Sequence, residues 1–505
     1  MYVIEDLLAN LVPTHIEGTI ARTAGSTAAA AGLPVAVGAE VEIQRQMGPP
    51  VAAEVIGFQD ELTLLFPLSS MSGVRRGHRV RLRRTAAWVA VGDALLGRVT
   101  DASGRTIDDL PPPVLTHRVP RQRPAPSAVS RPAVAKAIST GVRAIDGLLT
   151  CGLGQRMGIF AGAGVGKSVL LASMARSSSA DVNVIALVGE RGREVNDFIH
   201  RELGPEGMAN SVVVVATSDQ PAPMRLRAAF TATAIAEYFR DQGRDVLLLM
   251  DSMTRVAMAQ REIGLAAGEP PATRGYPPSV YGVLPQLIER TGATSVGTIT
   301  AFYSVLVEGD DPQEPVSDIL RGLLDGHCTL SSRLAAEGHY PAIDVVQSVS
   351  RLMPSLATED QLAAACKVRR LLAAYREHED LISVGAYRPG TNMLVDEAIA
   401  MRPMIDAFLV QQRDESSDLA SAHHTLQTLA ATTPRAHPPK GSLNDDWEQP
   451  KIGRQHAVTR HHSFSPNPIS LNSAPSPLSP HCETRFPHPE SHRELVPPCD
   501  TLENA

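Results

Sequence analysis

The stretch from Gly158 to Leu171, GIFAGAGVGKSVLL, constrains the fold more than any other part of the chain. A short apolar run leads into a glycine-rich turn, which is followed by a lysine, a serine and an apolar stretch suited to a helix. This strand–loop–helix order is typical of a phosphate-binding loop, because glycines let backbone N–H groups turn inward around a phosphate chain. The positive end of the following helix adds to that attraction. The stretch therefore predicts nucleotide binding.

Individual residues of the loop can be given roles. Lys167 is expected to reach the β- and γ-phosphates, and the Ser168 hydroxyl to bind Mg²⁺. Ala161 stands where the general pattern GxxxxGK[ST] has its first glycine, and a chance lysine in an ordinary glycine-rich turn is the competing interpretation. Only three lysines precede residue 430, which argues against that coincidence. The predicted nucleotide contacts are Gly162, Ala163, Gly164, Val165, Gly166, Lys167, Ser168 and Val169.

Composition limits the class of protein. With 505 residues, 43% hydrophobic and 20% charged, the chain is typical of a globular protein of several domains. The N-terminus MYVIEDLLANL has no basic region and no run of 18 apolar residues occurs, so we expect a cytoplasmic protein. Five scattered cysteines without CxxC spacing indicate a reduced compartment and no zinc site. A net charge of −7 argues against direct nucleic-acid binding, and the alternating arginines of 79–83 favour a solvated strand edge or subunit contact.

Changes of pattern along the chain predict its domains. Residues 1–110 contain short β-type runs broken by glycine, which predicts a small N-terminal β-barrel of five or six strands. Residues 111–133 form a proline-rich connector, and 134–355 alternate apolar strands with helical patterns, which predicts an α/β core around a mainly parallel sheet. Residues 356–430 have a helical pattern. The tail 431–505 holds 13 prolines and seven histidines without ligand spacing, which predicts disorder rather than metal binding.

Two of the predicted core strands lead to acidic residues. Asp251 ends the run 245–251, where a carboxylate beside the phosphate loop suits Mg²⁺ binding through water, although capping of the next helix is a simpler role. Glu190 follows the run 182–189, at the crevice where such sheets bind ligands, and is suited to polarise an attacking water. Spacing alone leaves open a salt bridge from Glu190 to Arg191 or Arg193. The predicted core strands are 156–160, 182–189, 211–216, 245–251, 295–301 and 343–347.

Seven blocks occur in order: GIFAGAGVGKS, VGERGREVNDF, LLLMDSMTRVAMAQREI, GEPPATRGYPPSVY, GTITAFYSVLVEGDD, LLDGH and GHYPAIDVVQSVSR. Together they resemble the ATPases of type III protein export, namely the flagellum-specific export ATPase and its injectisome relatives, which are related to catalytic subunits of rotary ATP synthases. The resemblance covers residues 15–425 and accommodates Ala161, since the family often has AGxGVGKS here. It implies a phosphate-loop (RecA-like) core that hydrolyses ATP with Mg²⁺.

The resemblance also implies roles outside the loop: water activation by Glu190, a γ-phosphate contact by Arg191, magnesium association by Asp251, adenine stacking by Tyr340 and Phe408, and an arginine finger, Arg351, that acts on the nucleotide of the neighbouring subunit. It implies a homo-oligomeric ring, commonly of six subunits, with active sites between neighbours. The implied partners are a stator-like regulator, a central stalk protein, export chaperones and the membrane export gate. The implied location is peripheral to the inner-membrane export apparatus.

Several functions compete with the expected one, an ATP-hydrolysing motor that releases chaperones and unfolds export substrates. The blocks AFYSVLVEGDD and HEDLISVGAY favour a flagellar system, and an injectisome stays open. A rotary synthase subunit is disfavoured, because residues 385–390 stand where those subunits carry an acidic loop. An RNA-tracking ring helicase would need more aromatics between 16 and 110 than Phe58, Phe66 and Trp88. A subunit without turnover would have lost the loop lysine, the glutamate or the finger, and all three are present.

Overall fold

The computed structural model describes residues 16–85, 87–307 and 314–432. The prediction of a disordered tail therefore falls almost entirely outside the described residues.

Within residues 16–85, six antiparallel strands close into a barrel, which confirms the predicted architecture. The strands are β1 (Glu17–Ala24), β2 (Thr27–Ala31), β3 (Glu40–Ile43), β4 (Val51–Gln59), β5 (Leu62–Pro67) and β6 (Arg79–Arg84). They pair in the order β1-β2-β5-β4-β3-β6, and β6 closes on β1. Alternate side chains point inward, so Val41 and Ile43 are fully buried. The sequence pattern does not indicate β2, since its TAAAA sequence has low β-propensity.

The chain after the barrel is built onto the core. β7 (Trp88–Val91) is followed by β8 (Arg98–Asp101), which lies in parallel beside residues 212–215 of the core sheet. β9 (His117–Pro120) pairs antiparallel with β7 and lies inside the segment predicted as a connector. The barrel strands therefore end at residue 84, before the predicted domain boundary at 110.

The core sheet follows β10 (Ala137–Ile138) and β11 (Cys151–Gly152), which form a separate two-stranded ribbon. Its further strands are β12 (Arg156–Ala161), β13 (Val182–Glu190), β14 (Ser211–Thr217), β15 (Asp245–Asp251), β16 (Gly292–Ala293), β17 (Thr298–Leu306), β18 (Gly326–Leu330) and β19 (Val349–Ser350). Across the described residues the sheet has nine strands, in the order β19-β18-β12-β17-β15-β13-β14-β8, with β16 beside β17. β16 and β19 pair antiparallel and the other neighbours pair in parallel.

Five of the six predicted core strands are confirmed, and the strand at 343–347 is wrong. Ile343 forms one isolated bridge with Leu330. The chain then turns, because the Asp344 carboxylate accepts the backbone N–H groups of Val346 and Gln347. The sheet edge is formed instead by β18 and the short β19, which flank this turn in sequence.

Helices cover both faces of the sheet, as the α/β prediction requires. In β13, Ile185 and Leu187 belong to one buried apolar cluster, whereas Val184 and Ala186 belong to the other. The α-helices are Arg143–Leu148, Lys167–Ser177, Gly192–Asp197, Gly204–Ala209, Ala222–Asp241, Met253–Ala266, Pro278–Ile288, Pro315–Leu323, Ser332–Ala336, Met353–Leu356, Glu359–Ser383, Met393–Leu409 and Leu419–Ala431. The last three lie in the region predicted to be helical. No helix in the described ranges has both the length and the apolarity that crossing a bilayer requires.

Arg227 attaches the barrel to the core, and a second buried ion pair stabilises the segment that follows the barrel. Arg227, on helix Ala222–Asp241, is 4% exposed and donates hydrogen bonds to Glu40 (2.7 Å) and Glu54 (2.5 Å) on β3 and β4. At the start of β8, Arg98 forms a bidentate pair with Asp108, at 2.7 and 2.8 Å. Since these side chains lie mostly out of water, we expect both contacts to contribute to stability.

Candidate functional site

The chemistry-bearing residues meet at one edge of the core sheet. β12 ends at Ala161, β13 at Glu190 and β15 at Asp251. These strands are parallel, so their carboxyl ends lie at the same edge, where open α/β sheets bind ligands. β17 lies between β12 and β15 and contributes Ser304 at this edge.

The glycine-rich loop follows β12 directly. Gly164 and Gly166 have φ angles of 77° and 91°, a left-handed conformation that favours glycine. Gly166 caps the helix Lys167–Ser177, so the free N–H groups of its first turn face the loop. Val165 is buried and anchors the loop, whereas Ser168, the second residue of the helix, is exposed. The predicted loop residues are therefore arranged as an anion cradle.

Lys167 forms a buried ion pair with Asp251. Its Nζ donates to Asp251 Oδ1 at 2.5 Å, and the Ser304 hydroxyl donates to the same oxygen at 2.7 Å. Asp251 is 2% exposed. The helix Met253–Ala266 is capped by Ser252, whose hydroxyl accepts the Arg255 N–H, so the simpler interpretation of Asp251 as that cap is wrong.

Glu190 lies beside this pair in a nearly water-free position, with 8% exposure. Its Oε1 is 3.9 Å from Lys167 Nζ and, within the described part of the chain, has no hydrogen-bond partner. Burial, followed by the nearby charge of Asp251, raises the pKa of Glu190 to about 7, and Lys167 opposes the rise. A carboxyl with this pKa and a free oxygen is suited to accept a proton near neutral pH.

The partner of Glu190 is Arg255, which the sequence interpretation missed. Arg255 Nη2 lies 3.4 Å from Glu190 Oε2. A Cβ at Gly189, whose φ is 71°, would lie 2.8 Å from Arg255 Cδ, so this approach requires glycine. The signal was available, because a helix that begins after Asp251 returns residue 255 to the same edge one turn later. Ser304, a hydroxyl inside an apolar strand, could have been found in the same way.

The two arginines near Glu190 in sequence point elsewhere. Arg191 has a side chain 78% exposed and pairs with Glu194 at 3.5 Å. Arg193 is exposed on the helix Gly192–Asp197, which follows Arg191. The alternative salt bridge from Glu190 to either arginine is therefore not the one that forms.

A cavity of about 380 Å³ adjoins the loop helix. Its walls are mostly apolar and include Val169, Leu170, Tyr340, Pro341 and Val410. A Cβ at Gly166 would lie 3.5 Å from the Tyr340 ring, so the aromatic stands directly over the start of the helix. The Gln411 N–H donates to the Tyr340 carbonyl at 2.9 Å, which joins the two sides of the cavity.

Phe408, predicted as the second aromatic wall, lies in the hydrophobic core instead. It is 3% exposed, and a Cβ at Gly147 would lie 2.9 Å from its ring. The helix Met393–Leu409 ends just after it and turns its apolar face inward, so the cavity wall is formed by the chain that follows, at Val410. The resemblance on which Phe408 was assigned could not distinguish the last turn of the helix from the chain that follows it.

Arg351 lies apart from the cluster of Lys167, Glu190 and Asp251. It follows β19 and is exposed. Its N–H donates to the Asp325 carbonyl at 2.9 Å and its guanidinium donates to the Arg321 carbonyl at 3.2 Å. Among the residues described, no carboxylate lies within 4.0 Å of it. An outward-facing, uncompensated arginine is what a residue acting on another molecule requires.

Few side chains at the site could bind a metal ion. No group of three His, Cys, Asp or Glu side chains that could hold a cation occurs in ranges 16–85, 87–307 and 314–432. The Ser168 hydroxyl and the Asp251 carboxylate are oxygen donors, which suits a hard cation that keeps several waters and binds substrate phosphates, as Mg²⁺ does.

A glycine-rich loop after one parallel strand, with a lysine and two carboxylates at the ends of neighbouring strands, defines a phosphate-loop nucleoside triphosphatase. Residues 141–350 match the model of the ATP synthase alpha/beta family, nucleotide-binding domain, and residues 357–428 match the type III secretion EscN ATPase C-terminal domain. The chain belongs to this family, in its type III export branch.

Named relatives agree with this assignment. The chain is 52% identical over 384 residues to the flagellum-specific ATP synthase of Bacillus subtilis strain 168, which covers 76% of this chain and 88% of the relative. It is 48% identical over 432 residues to the type 3 secretion system ATPase of Xanthomonas euvesicatoria, covering 85% and 97%. The assembled EscN ATPase of enteropathogenic E. coli, with its central stalk EscO, superimposes with a TM-score of 0.76 at 42% identity, covering 82% and 100%. The chain is therefore an ATP-hydrolysing enzyme of type III protein export.

Proposed function

We propose that the chain is the catalytic subunit of a ring-shaped flagellar export motor, in which each active site is completed by the neighbouring subunit. The observation that carries the proposal is the separation of Arg351, exposed and unpaired among the described residues, from the buried cluster of Lys167, Glu190 and Asp251. One chain holds the binding and water-activating groups, and its arginine faces outward.

Each residue of the cluster has a distinct task. The loop N–H groups and Lys167 bind the phosphate chain of ATP. Ser168 and Asp251 would hold Mg²⁺, which neutralises charge on the phosphates when it is bound. Glu190 accepts a hydrogen bond from the attacking water through Oε1, which has no partner among the described residues, and takes up its proton. Because Glu190 and Asp251 are buried, their charges act with little screening by solvent.

Further residues complete the site. Tyr340 stacks on the adenine at the mouth of the cavity, and the apolar Val410 wall takes the place predicted for Phe408. By resemblance, Arg191, which follows β13 and is exposed, would leave Glu194 to contact the γ-phosphate. Arg351 of the neighbouring subunit stabilises the charge that develops as the γ-phosphoryl group leaves, a contribution of about 10³ to 10⁵ in rate for arginine fingers.

The proposed assembly is a six-membered ring peripheral to the inner-membrane export apparatus. The assembled state and central stalk of the EscN relative support an oligomer and a stalk partner. By resemblance, the other proposed partners are a stator-like regulator, export chaperones and the export gate. An injectisome is the second candidate, because a type 3 secretion ATPase matches 85% of the chain. Loss of motility, as against loss of effector secretion, on disruption of the gene distinguishes the two.

Steady-state ATP hydrolysis against protein concentration tests the proposal, with Lys167→Ala, Arg351→Ala and the control Arg370→Ala, an exposed arginine on helix Glu359–Ser383. We expect the wild-type rate per subunit to rise with concentration, both site variants to stay inactive, and the control to match the wild type. A rate per subunit that is independent of concentration, or an active Arg351→Ala, would contradict a shared site. An active Lys167→Ala would contradict the site itself.

A further inference from the structure

We propose that Arg321 is a positioning residue for Arg351, and that it links the phosphate-loop strand of one subunit to the finger serving the next subunit's nucleotide. The inference rests on the proposed function, since it takes Arg351 to act on a neighbour. It adds a means by which the state of one site reaches another.

Arg351 is held at two points. β19 ends at Ser350 and pairs with β18 through only two residue pairs, so the strand itself gives little support. The Arg351 N–H is fixed by the Asp325 carbonyl, 2.9 Å away, and its guanidinium by the Arg321 carbonyl, 3.2 Å away. The direction in which the finger points therefore depends on where Arg321 lies.

Both points are attached to β12, the strand that carries the phosphate loop. The Arg321 guanidinium lies over the Phe160 ring, with 4.8 Å between its central carbon and the ring centroid. The Asp325 N–H donates to the Arg156 carbonyl at 2.9 Å, and the Arg156 N–H donates to the Asp325 carboxylate at 3.0 Å. Phe160 is the second-last residue of β12, immediately before Ala161 and the loop.

Within the described residues the Arg321 side chain forms no ion pair, and it lines a cavity beside Phe160 and Gly162. No carboxylate in the described ranges lies within 4.0 Å of Arg321, and its buried Nε has no hydrogen-bond partner. A cation over an aromatic face is attracted by the ring, so Phe160 is what holds this arginine in place. Arg321 lies near the end of helix Pro315–Leu323, so a movement of Phe160 would shift that helix end and the carbonyl that orients Arg351.

A small shift suffices for a large effect on rate. A reacting group misplaced by about 1 Å can cost on the order of 10²-fold. We therefore expect Arg321→Met, which removes the cation but keeps an unbranched apolar stem, to lower kcat about 10- to 100-fold. The KM for ATP and the affinity for a fluorescent ADP analogue should change less than about twofold, because the loop and the cavity of each subunit are intact.

Conservative and matched variants separate positioning from folding. Arg321→Lys keeps a cation over the ring and should recover part of the rate. Phe160→Leu removes the ring and should reproduce the loss of kcat. Arg333→Met, which removes an arginine that pairs with Glu337 and Glu379 instead, should retain wild-type kcat.

Mixed rings give the decisive measurement. A Lys167→Ala subunit has no working nucleotide site but an intact finger. An Arg321→Met subunit has an intact nucleotide site but a misplaced finger. If Arg321 acts through Arg351, mixing the inactive Lys167→Ala with the slow Arg321→Met raises hydrolysis above that of either protein alone, as mixing Lys167→Ala with Arg351→Ala does. If mixing restores nothing for Arg321→Met although it does for Arg351→Ala, the defect lies within its own subunit and the inference is overturned.

The outcomes also separate this inference from the proposed function. Wild-type kcat in Arg321→Met and Phe160→Leu, with an inactive Arg351→Ala, overturns the inference alone. An active Arg351→Ala overturns the finger assignment, and the inference with it.

Discussion

Replacing Glu190 with glutamine tests the chemistry most directly, because it removes the charge and keeps the volume. The carboxyl is 8% exposed, lies 3.9 Å from Lys167 Nζ and, so far as the structure describes the chain, has an unpartnered Oε1. A positioned base contributes about 10²- to 10⁴-fold in rate, which corresponds to about 2.7 to 5.5 kcal/mol of activation free energy. We expect Glu190→Gln to lower kcat by this factor and to change KM less than about threefold, since the phosphate contacts are kept.

The pH profile gives a second, independent signature. Burial and then the charge of Asp251 raise the pKa of Glu190 to about 7. Below that pH the carboxyl of the free enzyme is protonated and cannot accept a proton from water. kcat/KM, which reports the free enzyme, should therefore fall about tenfold per pH unit below about pH 7 and level off above it. Glu190→Gln should lack this acidic limb, because glutamine does not titrate.

The assay is phosphate release across the neutral pH range, at a protein concentration where the wild-type rate per subunit has reached its plateau. Glu206→Gln, on an exposed carboxyl of helix Gly204–Ala209, is the matched control and should keep both kcat and the acidic limb. A Glu190→Gln variant with more than a tenth of wild-type kcat, or with the acidic limb intact, would refute Glu190 as the base.

Three further predictions concern binding and stability. Tyr340→Ala should raise the KM for ATP about tenfold, because stacking on a base contributes about 1–3 kcal/mol, whereas Phe408→Leu should leave KM unchanged. Asp108→Asn should lower the free energy of unfolding by roughly 1–2 kcal/mol. The bidentate arginine contact lowers the pKa of Asp108 to about 2, so urea titrations should show this difference above about pH 4 and its loss as the pH falls through about 2. Arg227→Met, which leaves the carboxylates of Glu40 and Glu54 without this partner, should cost about 3 kcal/mol in the same assay, against less than about 1 for Arg81→Met, whose pair with Glu17 is partly exposed.

The fold could be predicted where local pattern and tertiary role agree. The core strands are apolar because both faces of the sheet are covered, so a continuous hydrophobic run marks each one. Where a strand is held in place by residues distant in sequence, its own hydrophobic pattern gives no signal. β2 is a row of alanines, held by its neighbours in the barrel. β8 has only four residues and joins β14, more than 100 residues further along the chain, as the Thr100 hydroxyl bond to the Val213 carbonyl shows.

The site shows the same division. Glu190 and Asp251 could be located because each ends an apolar run, and the parallel topology then brings them together. Arg255 and Ser304 leave weaker signals, a helical return to the same edge and a hydroxyl inside an apolar strand. Which group each of them meets depends on where the helix and the strand lie in space. Phe408 shows the limit most clearly, because its position two residues before the cavity wall turns its side chain into the core.

The division of the site between two chains has a consequence that dilution can measure. Every group proposed to bind ATP, from the loop to Tyr340, lies on one chain, whereas Arg351 faces away from that cluster. ATP binding should therefore survive dilution to concentrations at which the rate of hydrolysis per subunit has collapsed. Fluorescent-nucleotide binding and phosphate release, measured on the same dilution series, distinguish this from simple unfolding, in which both signals fall together. If binding is lost in parallel with hydrolysis, the neighbour contributes to nucleotide affinity as well, and the separation of binding from the finger is wrong.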